Sequence, residues 1–478
     1  MNRRIIVHTL GIVLNFEAAA LVLPLICALI LRESCINVFL ISIAICLLAG
    51  TILTWKRPGN KTMYAKEGFV IVALSWFLIS IFGAIPFYIS GAIPNFIDAF
   101  FETASGFTTT GASILKNVEA LPKSMLMWRS FTHWIGGMGV LVLLVAILPL
   151  SGSKNMFLIR AESPGPEVNK LVSRVGSTAK ILYGMYLFFT VTEIIFLLAG
   201  GFDLFEALTI SFGTAGTGGF AILNSGLASY SPYIQIVVTV FMILFGVDFS
   251  VYYLLIMRRF KAAFRSEEVR MYIGVVIAAS LVIALNCMHI FKNFGVALRY
   301  SAFQVASVIT TTGYATTDFN MWPELSKTIL VLLMFSGACA GSTGGGIKVS
   351  RLMLLAKSIK KEIKIAVHPQ RIYKVKMSGR IVEHETVRAV NVFLAAYLLI
   401  FAVSLLIISI NGFDFTTNFT SVLATLNNIG PGLNMVGPAG NFSAFSSLSK
   451  LVFIFDMIAG RLEIFPLLVL FSVPSLKK

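Results

Sequence analysis

The chain has 478 residues, 57% of them hydrophobic and only 13% charged, with a mean hydropathy of +0.86. Apolar runs near twenty residues long exclude a soluble globular protein, and their lack of alternation excludes a transmembrane barrel. The net charge of +16 raises the question of a nucleic-acid partner, which the placement of the basic residues answers in the negative.

Hydropathy predicts helices, in chain order, near 5–31, 36–55, 68–90, 125–149, 179–200, 231–257, 271–291, 326–356, 388–410 and 449–472. Basic residues cluster in alternate connections: Lys56, Arg57, Lys61 and Lys66; Arg160, Lys170, Arg174 and Lys180; Arg258, Arg259, Lys261, Arg265 and Arg270; then eleven Lys or Arg from Lys348 to Arg388. The connections between those clusters, 91–128, 200–233, 292–327 and 411–450, carry few, and the second carries none. This is the positive-inside asymmetry. It makes the lipid bilayer the partner, with no nucleic acid, and puts both termini in the cytoplasm. The first apolar run passes a possible Ala18–Ala20 cleavage site and continues to Leu31, so it is read as an uncleaved first membrane helix. Cys27, Cys35, Cys46, Cys287 and Cys339 show no paired or metal-type spacing and are read as small buried hydrophobes.

The connections after the third, fifth, seventh and ninth helices each hold a half-length apolar segment ending in a polar stretch. These read FTTTGAS (107–113), AGTGGFA (215–221), ITTTGYA (309–315) and LNNIGPG (426–432). Their glycines, Gly111, Gly219, Gly313 and Gly430, lie 108, 94 and 117 residues apart. A period near one hundred predicts four units of helix, re-entrant half-helix with loop, and helix. The fold class is therefore an all-α polytopic membrane protein, with two N-terminal helices plus four helix–pore loop–helix repeats arranged pseudo-four-fold around one central ion pore. The divisions are 1–67 for the N-terminal helices and 68–178, 179–270, 271–387 and 388–478 for the repeats.

Irregular polar backbone at membrane depth survives only inside protein or beside water. Four such loops converging on one axis can aim carbonyl oxygens inward and replace the water shell of a cation. The half-helices would point their negative C-terminal ends at the same cavity. The candidate filter is Thr109, Thr110 and Gly111; Thr217, Gly218 and Gly219; Thr311, Thr312 and Gly313; Asn428, Ile429 and Gly430. Any one TTTG could be a helix-packing motif of small residues; four copies at one period favour the filter.

The loop motifs, together with GACAGSTGGGIK (337–348) and AGRLEIF (459–465), closely resemble the Trk/Ktr superfamily of potassium uptake proteins. The likeness is to the bacterial Trk-type membrane subunit and covers nearly the whole chain. It implies potassium as the transported ion, held at Thr110, Gly111, Gly218, Gly219, Thr312, Gly313, Ile429 and Gly430. It implies a bacterial inner-membrane homodimer with one pore per protomer. It also implies gating by a cytoplasmic RCK-type (TrkA-like) nucleotide-binding subunit, with NAD or ATP on that partner and no covalent cofactor on this chain. The second loop has Gly218, and the fourth Asn427, Asn428 and Ile429, where threonines stand elsewhere, so the resemblance leaves room for weaker selectivity than in a symmetric channel.

Five glycines between Gly337 and Gly346 cannot hold a stable helix. The segment fails as a phosphate-binding loop, because Ile347 precedes Lys348 and Val349 stands where Ser or Thr is needed. The alternatives are a close-packing cluster and a break blocking the pore, where the resemblance puts an intramembrane gating loop. The candidate gate is Gly337, Gly341, Gly344, Gly345, Gly346 and Arg461. An arginine in mid-membrane faces a partner or a wet cavity; Arg461 is expected to line the pore, the alternative being an ion pair with Asp456 or Glu463. Glu17, Glu193 and Asp248 are read either as proton-coupling sites or as helix-to-helix hydrogen-bonding groups. His133 is read as an interfacial packing residue. The basic Lys348–Arg388 loop suits both anionic headgroups and a docked regulatory ring. No nucleophile triad, metal cluster or intact nucleotide motif is legible, so the chain is not read as an enzyme. Its rival reading is an obligatorily proton- or sodium-coupled carrier with alternating access.

Overall fold

Pro24 lacks an amide hydrogen and crowds the carbonyl four residues before it, so the first predicted helix is interrupted at Leu21. It becomes α1 (Arg3–Ala20) and α2 (Val22–Leu31). The computed structural model describes residues 2–59, 64–139 and 175–471. Helix α3 (Ile36–Thr54) packs on α1 where Gly11 meets Gly50; a Cβ on Gly11 would come within 2.8 Å of the Gly50 carbonyl oxygen. Small residues let apolar helices approach this closely.

The rest of the described chain repeats one plan. The outer helices are α4 (Ala65–Gly83), α7 (Val175–Ala199), α11 (Glu267–Asn286) and α15 (His384–Ile408). The half-helices are α5 (Phe96–Phe107), α8 (Leu204–Gly216), α12 (Phe294–Ile309) and α16 (Phe415–Leu426). The inner helices are α6 (Lys123–Gly137), α9 (Pro232–Phe245), continued by α10 (Phe249–Ile256), α13 (Glu324–Ser336), continued by α14 (Val349–Val367), and α17 (Ser447–Arg461), continued by α18 (Phe465–Phe471). Among the described residues six runs are long and apolar enough to cross a membrane: Arg3–Leu31, Ile36–Thr54, Lys66–Ile89, Ala179–Ala199, Glu267–Asn286 and His384–Asn411.

The helices predicted over 231–257, 326–356 and 449–472 are not continuous. The inner helices α6, α9, α13 and α17 stop after 15, 14, 13 and 15 residues, and α9 and α10 meet at 89°. A glycine marks each stop: Gly136 and Gly137, Gly246, Gly337, and Gly460. At two of them the reason is close approach. A Cβ on Gly136 would overlap the Phe107 carbonyl oxygen, and one on Gly460 the Leu426 carbonyl oxygen. The inner helix is thus pressed onto the end of its half-helix. The second part of the helix predicted over 125–149, with Arg160, Lys170 and Arg174, lies outside the described residues, as do Lys61, Met1 and 472–478.

Short polar side chains start every half-helix. Asn95, Asp203, Asn293 and Asp414 accept hydrogen bonds from the first-turn amides of Ile97, Glu206, Gly295 and Thr417, satisfying donors that have no helical acceptor. Hydrogen bonds from Thr417 hold the Asp414 carboxyl below its ordinary range, keeping a negative charge against the positive end of α16. Aromatic contacts bring the fourth unit against the first: Phe101 meets Phe442 at 5.6 Å and Phe453 at 6.4 Å between centroids. On the side predicted to be cytoplasmic, α14 leads to a hairpin of β1 (Lys376–Met377) and β2 (Arg380–Ile381). Its two turn residues Ser378 and Gly379 both have positive φ, as a type I′ hairpin turn requires. Lys348 and Arg351 do not belong to that exposed loop as the sequence suggests; they are 2% and 5% exposed.

Candidate filter and the glycine-rich segment against it

Each half-helix closes in the same way. The amides of Thr110, Gly218, Thr312 and Ile429 donate to carbonyls five residues back, on Ser105, Gly213, Ser307 and Ala424, at 2.8–2.9 Å. The amides of Thr109, Thr217, Thr311 and Asn428 donate three back, to Gly106, Thr214, Val308 and Thr425. This nested pair is a Schellman closure, which needs a left-handed residue just past the helix. Thr109, Thr217, Thr311 and Asn428 supply it with φ of 56°, 53°, 57° and 56°. Threonine rarely adopts that conformation, because its branched Cβ crowds the backbone. Three such threonines at equivalent positions mark a geometry imposed by the surroundings.

Two residues on, Gly111, Gly219, Gly313 and Gly430 have φ of 77°, 75°, 85° and 93°, and here only glycine fits, for a second reason as well. A Cβ on Gly111 would meet the Gly218 carbonyl oxygen, one on Gly219 that of Thr312, one on Gly313 that of Ile429, and one on Gly430 that of Thr110. The contacts run from loop one to two, three, four and back to one. The twelve residues singled out in the sequence are therefore brought together as a closed cycle of loops. The carbonyls of Thr110, Gly218, Thr312 and Ile429 stand at its junctions.

The side chains brace this backbone from the protein side. The Thr110 hydroxyl meets that of Thr108 at 2.8 Å and accepts from Asn428 Nδ2 at 3.0 Å. The Thr312 hydroxyl meets that of Thr310 at 2.7 Å. Asn428 also donates to the Met457 carbonyl at 2.8 Å. The buried Thr109 hydroxyl has no hydrogen-bond partner among the described residues.

The segment 337–348 leaves the helix as expected and lies at the half-helix end of the loops. Gly345 N donates to Thr311 Oγ1 at 2.6 Å. A Cβ on Gly344 would approach the Thr310 carbonyl oxygen at 2.9 Å, and one on Gly345 that of Asn427 at 2.6 Å. Gly337, Gly341 and Gly346 have φ of 68°, 75° and 76°. Arg461 donates to the Thr343 carbonyl at 2.8 Å, and to the Gly136 and Gly137 carbonyls at 2.5 and 2.6 Å. It thereby ties the segment to the end of α6. Of its two suggested acidic partners, Glu463 is ion-paired with Arg351 and Asp456 accepts from Ser404 Oγ at 2.7 Å.

Several participants were not legible as such. Glu268, at the start of α11, accepts from Ala340 N at 2.7 Å and Ser350 N at 3.0 Å through one oxygen, gripping both ends of the glycine-rich segment. Lys348 donates into the same segment, to the Gly344 carbonyl. Glu102 and Arg129 form a buried pair at 2.8 Å beside loops one and two; a charged pair in mid-membrane sequence was the available signal. His133 is fully buried against loops one and two, not interfacial. Asp248 caps α10 through Ser250 N at 2.8 Å. The carboxylates of Glu17 and Glu193 are buried without a hydrogen-bond partner among the described residues.

The Glu268 grip has a testable consequence. Its two bonds are charge-assisted, each worth about 1.5–3 kcal/mol, so Glu268→Ala is expected to loosen the segment. In protein whose other four cysteines are replaced, Cys339, fully buried, should become reactive to a thiol reagent. Labelling no faster than in the parent would remove Glu268 from this role.

Residues 35–477 match the TrkH family model, described as a cation transport protein. The chain is 38% identical to the Trk system potassium uptake protein TrkH of Escherichia coli K12, over 99% of both chains. It is 33% identical to TrkG of the same organism, named a Trk system potassium uptake protein, over 98% of both. The fold superposes on the crystal structure of the potassium transporter TrkH from Vibrio parahaemolyticus with a TM-score of 0.89 and 32% identity, covering 99% of this chain and all of that one. With the four-loop geometry and the glycine-rich segment in hand, the conclusion is direct: the chain belongs to the TrkH family of cation transport proteins.

Proposed function

We propose that this protein takes up potassium across a bacterial inner membrane through a channel-like pore on the axis of the four loops. The closed cycle of carbonyls at Thr110, Gly218, Thr312 and Ile429 carries the reading. Carbonyl dipoles fixed by Schellman closures can replace an ion's hydration shell with little reorganisation. Potassium is favoured over other cations because the relatives bear the name potassium uptake protein. The four repeats at 68–178, 179–270, 271–387 and 388–478 then act as quadrants. The segment 337–348 serves as gate, held by Arg461, Glu268 and Lys348. The exposed basic stretch beyond Arg351, with Lys360, Lys364, Arg371 and Lys374, suits a nucleotide-binding cytoplasmic ring of RCK type, and a homodimer would present two such surfaces.

A carrier with obligatory coupling is the second reading, favoured by the buried carboxyls of Glu17 and Glu193, which have no hydrogen-bond partner among the described residues. Ion counting in a planar bilayer containing the purified full-length protein separates the two. Conformational cycles on the microsecond-to-millisecond scale cap a carrier at about 10⁶ ions per second. Unitary currents above that ceiling are expected; strict stoichiometry with protons or sodium, without resolvable unitary events, would overturn the pore.

A further inference from the structure

The second loop departs from the others at one position. Where loops one, three and four have Thr110, Thr312 and Ile429, it has Gly218, with no side chain to brace the backbone. The space is nevertheless filled. A Cβ built on Gly218 would run into the imidazole of His133, touching Cγ and Nδ1. That ring comes from α6, in the preceding repeat. It lies against Phe220, with centroids 4.2 Å apart and ring planes tilted by 37°. His133 Nδ1 lies 2.7 Å from the Gly106 carbonyl oxygen, and Phe220 N–H donates to His133 Nε2 at 3.3 Å.

These partners fix the chemistry of the ring. A carbonyl needs a donor, so Nδ1 carries the hydrogen; an amide needs an acceptor, so Nε2 is bare. Only the neutral Nδ1–H imidazole satisfies both, and an imidazolium would set N–H against N–H at Phe220. One turn earlier on the same face, Arg129 donates to the Ala221 carbonyl at 3.2 Å and lies over the Phe220 ring at 3.9 Å. Helix α6 therefore holds residues 218–221 from outside the loop, and holds the end of α5 by the same ring.

We propose that His133 is the missing side chain of the second quadrant: a positioning residue that sets the Gly218 carbonyl in the ring and so helps to determine ion selectivity. The proposal rests on the filter reading given above. It also accounts for the degenerate loop, since Gly218 must be glycine for the imidazole to lie against it.

The test is the potassium-to-sodium permeability ratio of the full-length protein in planar bilayers, from bi-ionic reversal potentials, measured with folded yield. His133→Ala and His133→Leu are expected to lower the ratio by about tenfold, the equivalent of one lost neutral hydrogen bond acting on potassium alone. His133→Gln, whose amide can donate to Gly106 and accept from Phe220, should stay near wild type. Adding Gly218→Thr to His133→Ala should recover part of the ratio, because the loop then carries its own brace, whereas Gly218→Thr alone collides with the imidazole and loses it. Gly219→Ser distinguishes the two levels of inference. If it lowers the ratio while His133→Ala and His133→Leu do not, the His133 proposal is overturned and the filter stands. If Gly219→Ser also leaves the ratio unchanged, the filter reading itself fails. Reduced folded yield in the Ala and Leu variants, with an unchanged ratio in whatever folds, makes His133 a packing residue and overturns the proposal.

Discussion

Gly313→Ala is expected to abolish most of the discrimination between potassium and sodium. Two costs act at once. With φ of 85°, a Cβ brings strain of about 1–3 kcal/mol. That Cβ is also aimed at the Ile429 carbonyl oxygen of the next loop, so two of the four junction carbonyls move. A ring that loses register by a fraction of an ångström at two positions is expected to lose at least about tenfold in permeability ratio, since each 1.4 kcal/mol of differential binding is a factor of ten. Gly91 is the control: its φ is 73°, but nothing lies within 4 Å of its built Cβ. Gly91→Ala should cost stability and leave selectivity alone. Equal ratios in Gly313→Ala and wild type would take Gly313 out of the filter.

Arg461→Ala is expected to increase potassium flux. On the proposed ion path, a permanent charge repels the ion by about 4 kcal/mol at about 4 Å with an effective dielectric near 20, and by less where water enters. Removing the guanidinium also releases the Thr343, Gly136 and Gly137 carbonyls, which frees the glycine-rich segment from α6. Arg461→Lys should fall between the two, because it keeps the charge and loses the fork that spans two elements. Single-channel current and folded yield are measured on the same preparation. A well-folded Arg461→Ala protein with unchanged or lower current would mean that Arg461 neither blocks the pore nor holds the gate.

The loops were legible because their requirements are local. A glycine where φ is positive, set in a polar stretch that ends a half-length apolar segment, leaves a mark that can be read without knowing what lies across the chain. Four repetitions of Gly111, Gly219, Gly313 and Gly430 made the marks unmistakable. Only the break at Gly337 was legible, from its cluster of glycines; the others were not, because an average over twenty residues does not register a single glycine such as Gly246 or Gly460, whose role depends on another helix. Residues that reach across the chain were equally silent. His133 meets an amide 87 positions away, and Glu268 meets amides 72 and 82 positions away, distances at which no periodicity connects donor to acceptor. Lys348 and Arg351 misled in the opposite sense, since a basic run reads as solvated until its first members prove buried.

The hydrogen bond from Asn428 to Thr110 joins residues 318 positions apart, and it bears on how the protein is made. At about 5–20 residues per second, synthesis of that interval takes roughly 16–64 seconds. For that time the first loop is in the nascent chain without its last neighbour. Its half-helix can close, because the Schellman bonds to Ser105 and Gly106 are local, but the junction between Gly430 and the Thr110 carbonyl cannot exist. The first three loops are thus made before their closing neighbour exists, and the cycle of contacts can close only once residues 428–430 have been translated. A ribosome stalled before Asn428 would yield a product with correctly shaped loops and no ring.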